Sequence, residues 1–257
     1  MKLGLTFSGG GAKGFAFAGI LKTLDEHKVK IDILSGSSIG AMVGALYAYG
    51  FSPDEMLKIF GKIRLWKYFK PSFKRGGLFS MNLLEGLFRK HLSSDDFSSL
   101  EIPLVVTATN VRTGELHYFK EGPLIRPVMA SACLPVIFQP VEINGELFMD
   151  GGVLENLPVK PIKPICDKVI ALHCNPIDKD FREHKLSLRR LMERSLFMAI
   201  GCNVNRQIHL CDLFLEPPGL QHYKVFELHK AEELFELGYK FSQKNINHIL
   251  NLIYGQV

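Results

Sequence analysis

The chain has 257 residues, 47% apolar and 22% charged, with a net charge of +5. That balance excludes a disordered tract and a mini-protein that needs staples; the length suits one or two domains, and with no internal repeat or linker in the chain a single domain over residues 1–257 is expected. The five cysteines (Cys133, Cys166, Cys174, Cys202 and Cys211) form no Cys-x-x-Cys pair, which argues against a disulfide framework or a zinc site and for reduced thiols in a cytoplasmic setting.

Residues 2–8 read as a short buried strand, followed by Gly9-Gly10-Gly11-Ala12-Lys13-Gly14 and a helix over 15–27. A second apolar strand over 31–34 leads through a Gly/Ser turn into a helix over 39–49. This βαβα order predicts a parallel sheet with crossover helices. Ser52 caps a further helix with Pro53 in its first turn. Residues 61–80 change character into a loop-rich excursion, and 80–92 are helix-like. A strand over 104–109 pairs with 115–119 across the turn at Thr113-Gly114, and 123–133 suits a helix ending before Pro135. Asn144-Gly145 between apolar runs predicts a hairpin over 141–149. A strand over 168–173, helices over 186–209 and 231–250, and a short strand over 213–215 complete the reading. The longest apolar stretch, residues 39–51, has 13 residues, too few to span a bilayer. The start of the chain carries no secretory h-region.

Gly36-Ser37-Ser38-Ile39-Gly40 matches G-x-S-x-G between an apolar strand and a helix. A nucleophilic serine stands exposed on such a sharp turn, where flanking glycines relieve crowding and the helix N-terminus favours developing negative charge. Gly40, Gly44 and Ala48 give that helix a small face for close packing against the sheet. The alternative is a plain βα turn with a capping serine.

Gly9 to Gly14 also matches G-x-G-x-x-G after the first strand. One reading is a dinucleotide site, with pyrophosphate on the helix N-terminus. The other is an oxyanion hole of backbone N–H groups. The dinucleotide reading needs an acidic residue at the end of the second strand. That place holds the serine turn, and Asp32 lies near the strand's start. Adjacent parallel strands would put the glycine loop and Ser38 at one sheet edge. No cofactor is expected.

A serine nucleophile needs a proton acceptor. Among nine histidines, His173 is the best placed, at a strand end. Asp150 competes from Asp150-Gly151-Gly152, after the hairpin. A free aspartate is a weak base near neutrality, and desolvation beside the serine would strengthen it. The residues alone leave both open.

In combination, these segments resemble the patatin-like phospholipases, in particular the short bacterial members. The resemblance rests on Gly9–Gly14, Gly36–Gly40 and Asp150-Gly151-Gly152 in that order. Similar too are residues 108–114, 130–135 with 138–141, and Asn156-Leu157-Pro158. It covers residues 3–175, leaving 176–257 as a helical extension without a motif. It implies a three-layer α/β/α sandwich with a mainly parallel central sheet, like cytosolic phospholipase A2 catalytic domains. It also implies a Ser–Asp dyad without metal: Ser38 as nucleophile, Asp150 as proton acceptor, and Gly9, Gly10, Gly11, Ala12, Lys13 and Gly14 as oxyanion hole. The implied activity is hydrolysis of lipid or fatty-acyl esters through an acyl-enzyme. The sequence departs in two places: Ser8 stands where plant patatins carry Asp, and Lys13 where many members carry Arg. Lysine keeps the charge and loses the planar fork. A nucleotide-binding module, an acyltransferase and a regulatory protein on the same fold are the alternatives.

Residues 62–75 mix Lys62, Arg64, Lys67, Lys70, Lys74 and Arg75 with Trp66, Tyr68, Phe69 and Phe73. Cations among aromatics suit an anionic membrane surface, with Trp66, Lys67, Lys70 and Lys74 in contact. A surface loop with its aromatics packed underneath is the plain reading. The same composition would serve nucleic acid, which is not expected as a partner here. Peripheral membrane contact from the cytoplasm is the expected arrangement.

Overall fold

The computed structural model describes residues 1–61, 77–177 and 187–255. Its strands are β1 (Leu3–Phe7), β2 (Ile33–Gly36), β3 (Gly77–Phe79), β4 (Leu104–Asn110), β5 (Leu116–Phe119), β6 (Val136–Phe138), β7 (Val141–Ile143), β8 (Glu146–Asp150), β9 (Lys168–Leu172) and β10 (Leu213–Leu215). The main sheet runs β10-β9-β1-β2-β4-β8-β7, with β5 also paired to β4. Pairs from β10 to β4 are parallel, and β4–β5, β4–β8 and β7–β8 are antiparallel. Every residue of β1 and β4 is buried, as parallel strands covered on both faces require. Helices on both sides of the sheet complete an α/β/α sandwich. The chain builds outward from β1 in both directions, so β1 marks a topological switch point, where α/β folds place their crevices.

The helices are α1 (Phe15–Glu26), α2 (Ile39–Ala48), α3 (Pro53–Gly61), α4 (Asn82–His91), α5 (Ile125–Ser131), α6 (Gly152–Glu155), α7 (Leu188–Asn205) and α8 (Ala231–Tyr254). Ser52 and Glu55 form a reciprocal cap on α3: Ser52 N–H donates to Glu55 Oε2 at 2.9 Å, and Glu55 N–H to Ser52 Oγ at 3.4 Å. The hairpin turns on Asn144 (φ 52°) and Gly145 (φ 80°), the left-handed pair that matches strand twist.

Three features differ from the sequence expectation. β2 starts two residues late, because Asp32 turns its carboxylate onto the Leu3 N–H (2.8 Å) at the strand entrance. β3 and β6 form a separate parallel pair; three-residue strands far apart in sequence carry no periodicity to detect. The segment after residue 176 is more than a helical extension. The expected short strand over 213–215 is the sheet's edge strand β10, and, beyond the expectation, α8 packs along α1 so closely that Cβ atoms at Gly19 and Gly238 would meet the carbonyls of Phe235 and Ala16. The basic segment with Trp66, Lys67, Lys70 and Lys74 lies outside the described residues.

Candidate active site

Register brings the motifs together. Phe7 of β1 pairs with Gly36 of β2 and with Leu172 of β9, so the loops after these strands leave the sheet side by side. β2 pairs with residues 104–106 of β4, and Asp150 of β8 pairs with Ala108 on the same strand. The end of β8 therefore arrives beside the end of β2.

Ser38 sits at φ 55°, ψ −126°, a left-handed backbone that non-glycine residues seldom adopt. Such strain costs of order 1–3 kcal/mol and persists only where the surroundings over-determine it. Here they do. A Cβ on Gly36 would lie 2.5 Å from Gly40 O, and one on Gly40 would lie 2.5 Å from Phe7 O. The Ser38 N–H donates to Ser131 Oγ at 2.9 Å. Ser38 thus opens α2 with its side chain projecting from a sharp turn.

Its hydroxyl donates to Asp150 Oδ2 at 2.6 Å. The other carboxylate oxygen accepts the Gly152 N–H at 2.7 Å. Asp150 is 3% exposed. Burial pushes its carboxyl up to about 7, although the bonds from Ser38 and Gly152 pull it down. The rival base is placed elsewhere in the network: His173 Nδ1 lies 2.6 Å from Glu216 Oε1, and its ring stacks on Phe214.

The glycine loop lies against the serine, since a Cβ on Gly9 would come within 2.8 Å of Ser38 Cβ. Its six residues divide by what their groups bind. The Gly9 N–H donates to Asn156 Oδ1 (3.0 Å) and Asn156 O (3.1 Å), and the Ala12 N–H to Val225 O (2.8 Å). Lys13 is buried, with Nζ donating to Asn175 Oδ1 at 2.6 Å. Gly14 packs on Ile39. Among the described residues, no acceptor is found for the N–H groups of Gly10 and Gly11. Gly11 holds φ +61°, and a Cβ there would strike Val225 O.

These groups open into a cavity walled by Phe15, Met42, Phe60, Leu84, Phe197 and Val225. Among the described lining residues Asp150 is the only ionisable side chain, so a pyrophosphate would meet no cation among them. Among the described residues no cluster of three His, Cys, Asp or Glu side chains could hold a metal, and no helix is long and apolar enough to cross a membrane.

Ser131, Asn156, Asn175 and Asn203 hold the site through contacts that the sequence expectation does not include. Ser131 and Asn156 lie inside segments that carry the family resemblance. Asn175 and Asn203 lie at or beyond its end, and nothing in their local sequence marks them.

Fold and site together define an α/β protein with a strained serine bonded to a buried aspartate beside a glycine loop. The family model described as patatin-like phospholipase matches residues 5–162, and the chain belongs to that family. An uncharacterised NTE family protein of Mycobacterium tuberculosis is 30% identical over 177 residues, 68% of this chain and 49% of that protein. The lysophospholipase NTE1 of Kluyveromyces lactis is 24% identical over 287 residues, 96% of this chain and 19% of that protein. The chain thus spans half or less of the length of these curated relatives. Two solved structures share the fold. VipD from Legionella pneumophila has a TM-score of 0.66 at 15% identity, over 96% of this chain and 67% of that one. Human GIVD cytosolic phospholipase A2, solved with methyl gamma-linolenyl fluorophosphonate, has a TM-score of 0.54 at 11% identity, over 98% and 59%.

Proposed function

We propose that this chain is a serine acyl hydrolase that cleaves fatty-acyl esters of lipids through a Ser38–Asp150 dyad. The observation that carries the reading is the 2.6 Å bond from Ser38 Oγ to a carboxylate that burial makes basic enough to accept its proton. Asp150 takes that proton as Ser38 Oγ attacks the ester carbonyl. The amides of Gly10 and Gly11 stabilise the oxyanion. Collapse expels the alcohol, which receives the proton from Asp150 and leaves an acyl-enzyme on Ser38. Water, deprotonated by Asp150, then attacks the acyl carbonyl, releases the fatty acid and restores Ser38. The apolar walls of the cavity suit an acyl chain. The names of the family and of the fungal relatives point to the same substrate class.

A lipid surface is the proposed partner. Helix α7 lines the cavity with Phe197 and Ile200, and its outer face exposes Leu188, Leu191, Met192 and Met198. Residues at this spacing share one helical face, so an apolar face lies beside the cavity where a lipid would enter.

A fluorophosphonate ester probe followed by peptide mapping tests the chemistry. The expected result is label on Ser38, with neither label nor ester hydrolysis in Ser38→Ala. Label elsewhere, or full hydrolysis by Ser38→Ala, would overturn the proposal.

A further inference from the structure

Both halves of the proposed site hang on one short turn. Gly152, at its start, donates its N–H to Asp150 Oδ1 at 2.7 Å. Asn156, at its end, holds the glycine loop three ways: its Oδ1 and its backbone carbonyl accept the Gly9 N–H (3.0 and 3.1 Å), and its Nδ2 donates to Gly9 O (3.3 Å). A displacement of this turn would shift the carboxylate and the oxyanion loop together. Gly152 to Glu155 form α6, only four residues long, and Asn156 follows it directly. One helical turn has no stability of its own, because nucleation fixes several dihedrals for one hydrogen bond.

The clamp comes from α7, in the part of the chain without a motif. Asn203 Nδ2 donates to Gly152 O at 2.9 Å and approaches Val153 O at 3.4 Å. Its Oδ1 accepts the Asn156 N–H at 2.9 Å. A single carboxamide therefore closes the turn at both ends. The task needs a donor and an acceptor on one short planar group, which the asparagine carboxamide supplies. Aspartate would keep the acceptor for Asn156 but set a carboxylate oxygen against Gly152 O. Alanine would keep neither bond.

We propose that Asn203 is a positioning residue for acyl transfer, holding Asp150 and the Gly9–Gly11 loop in mutual register through the turn at residues 152–156. The inference rests on the reading of Ser38 and Asp150 above. It also gives the C-terminal segment a task at the site: α7 walls the cavity with Phe197 and Ile200 and locks the turn with Asn203.

The test uses the full chain and a soluble short-chain ester, with Asn203→Ala, Asn203→Asp and Val204→Ala. Val204 is buried on the same helix and touches neither end of the turn through a hydrogen bond. Its truncation reports what simple loss of helix packing does. Misplacing reacting groups by about 1 Å costs about 100-fold in rate. The expected result for Asn203→Ala is a kcat fall of about tenfold or more with KM within about threefold of wild type. Asn203→Asp keeps the bond to the Asn156 N–H but opposes two oxygens at Gly152, so its kcat also falls by about tenfold or more, and it serves if the alanine variant does not fold. Val204→Ala lowers the melting temperature and leaves kcat within about twofold. The proposal is overturned if folded Asn203 variants keep kcat within about threefold, if the effect is confined to KM, or if Val204→Ala loses as much kcat. The fluorophosphonate separates the two levels of failure. Label on wild-type Ser38 with an undiminished labelling rate in the Asn203 variants refutes the positioning role alone. No label on wild-type Ser38 refutes the site itself.

Discussion

Replacing Asp150 with asparagine separates what the carboxylate does for chemistry from what it does to stability. The substitution fits the geometry. The asparagine Oδ1 still accepts the Gly152 N–H, and its Nδ2 donates to Ser38 Oγ, reversing the present 2.6 Å bond. No base remains, and general-base catalysis contributes about 100- to 10,000-fold. A loss of that size in kcat on a short-chain ester is expected. Stability should move the other way. Burial raises the Asp150 carboxyl from 3.8 to about 7, so between those values the folded chain binds more protons than the unfolded one. Folding stability therefore falls as pH rises through that window. Above it, holding Asp150 ionised costs about 4 kcal/mol relative to the unfolded chain. The neutral amide of the Asp150→Asn variant carries no such cost. Thermal unfolding should show the two proteins nearly level at pH 4 and the variant several degrees more stable at pH 8. Wild-type kcat/KM should rise about tenfold from pH 6 to pH 8, following the ionised fraction of a group titrating near 7. A variant with more than a tenth of wild-type activity, or a stability gap that does not grow with pH, would refute the reasoning.

In α8, Gly238→Ala should destabilise by about 1–3 kcal/mol in urea unfolding, because its Cβ meets the Ala16 backbone and no flexible side chain can yield. Gly86→Ala in α4 faces open space and should stabilise by up to about 1 kcal/mol, the ordinary helix preference; equal effects at both sites would refute the packing account. For the lipid surface, Leu191→Glu combined with Met198→Glu should weaken sedimentation with phosphatidylglycerol vesicles and leave hydrolysis of a soluble ester unchanged. Unaltered vesicle binding would refute that face, and Lys67→Glu, Lys70→Glu and Lys74→Glu test the basic segment in the same assay.

Local signals made much of this protein readable. β1, α1 and α2 follow from apolar runs punctuated by glycine and serine, and Asn144-Gly145 fixes its hairpin because only a left-handed pair suits the strand twist. Parallel neighbours align their C-terminal ends, which places the glycine loop and Ser38 side by side, and the register pairs Phe7 with Gly36. The β3–β6 pair was not readable, since three residues per strand leave no period.

Sequence alone places the serine turn: two glycines, a strand before and a helix after leave Ser38 few other conformations. It could not choose the proton acceptor. In the fold β8 meets β4 at Ala108 and carries Asp150 to 2.6 Å from Ser38 Oγ, while Glu216 engages His173, and this geometry is what supports Asp150 as the proposed acceptor. Nor could it separate the glycine-loop amides that are bonded within the fold from those that have no acceptor among the described residues. Asn156 and Val225 make that division from more than 140 residues away. Short-range patterns record backbone angles and burial. Which side chains finally meet is set by the register of distant strands, and only the folded sheet contains it.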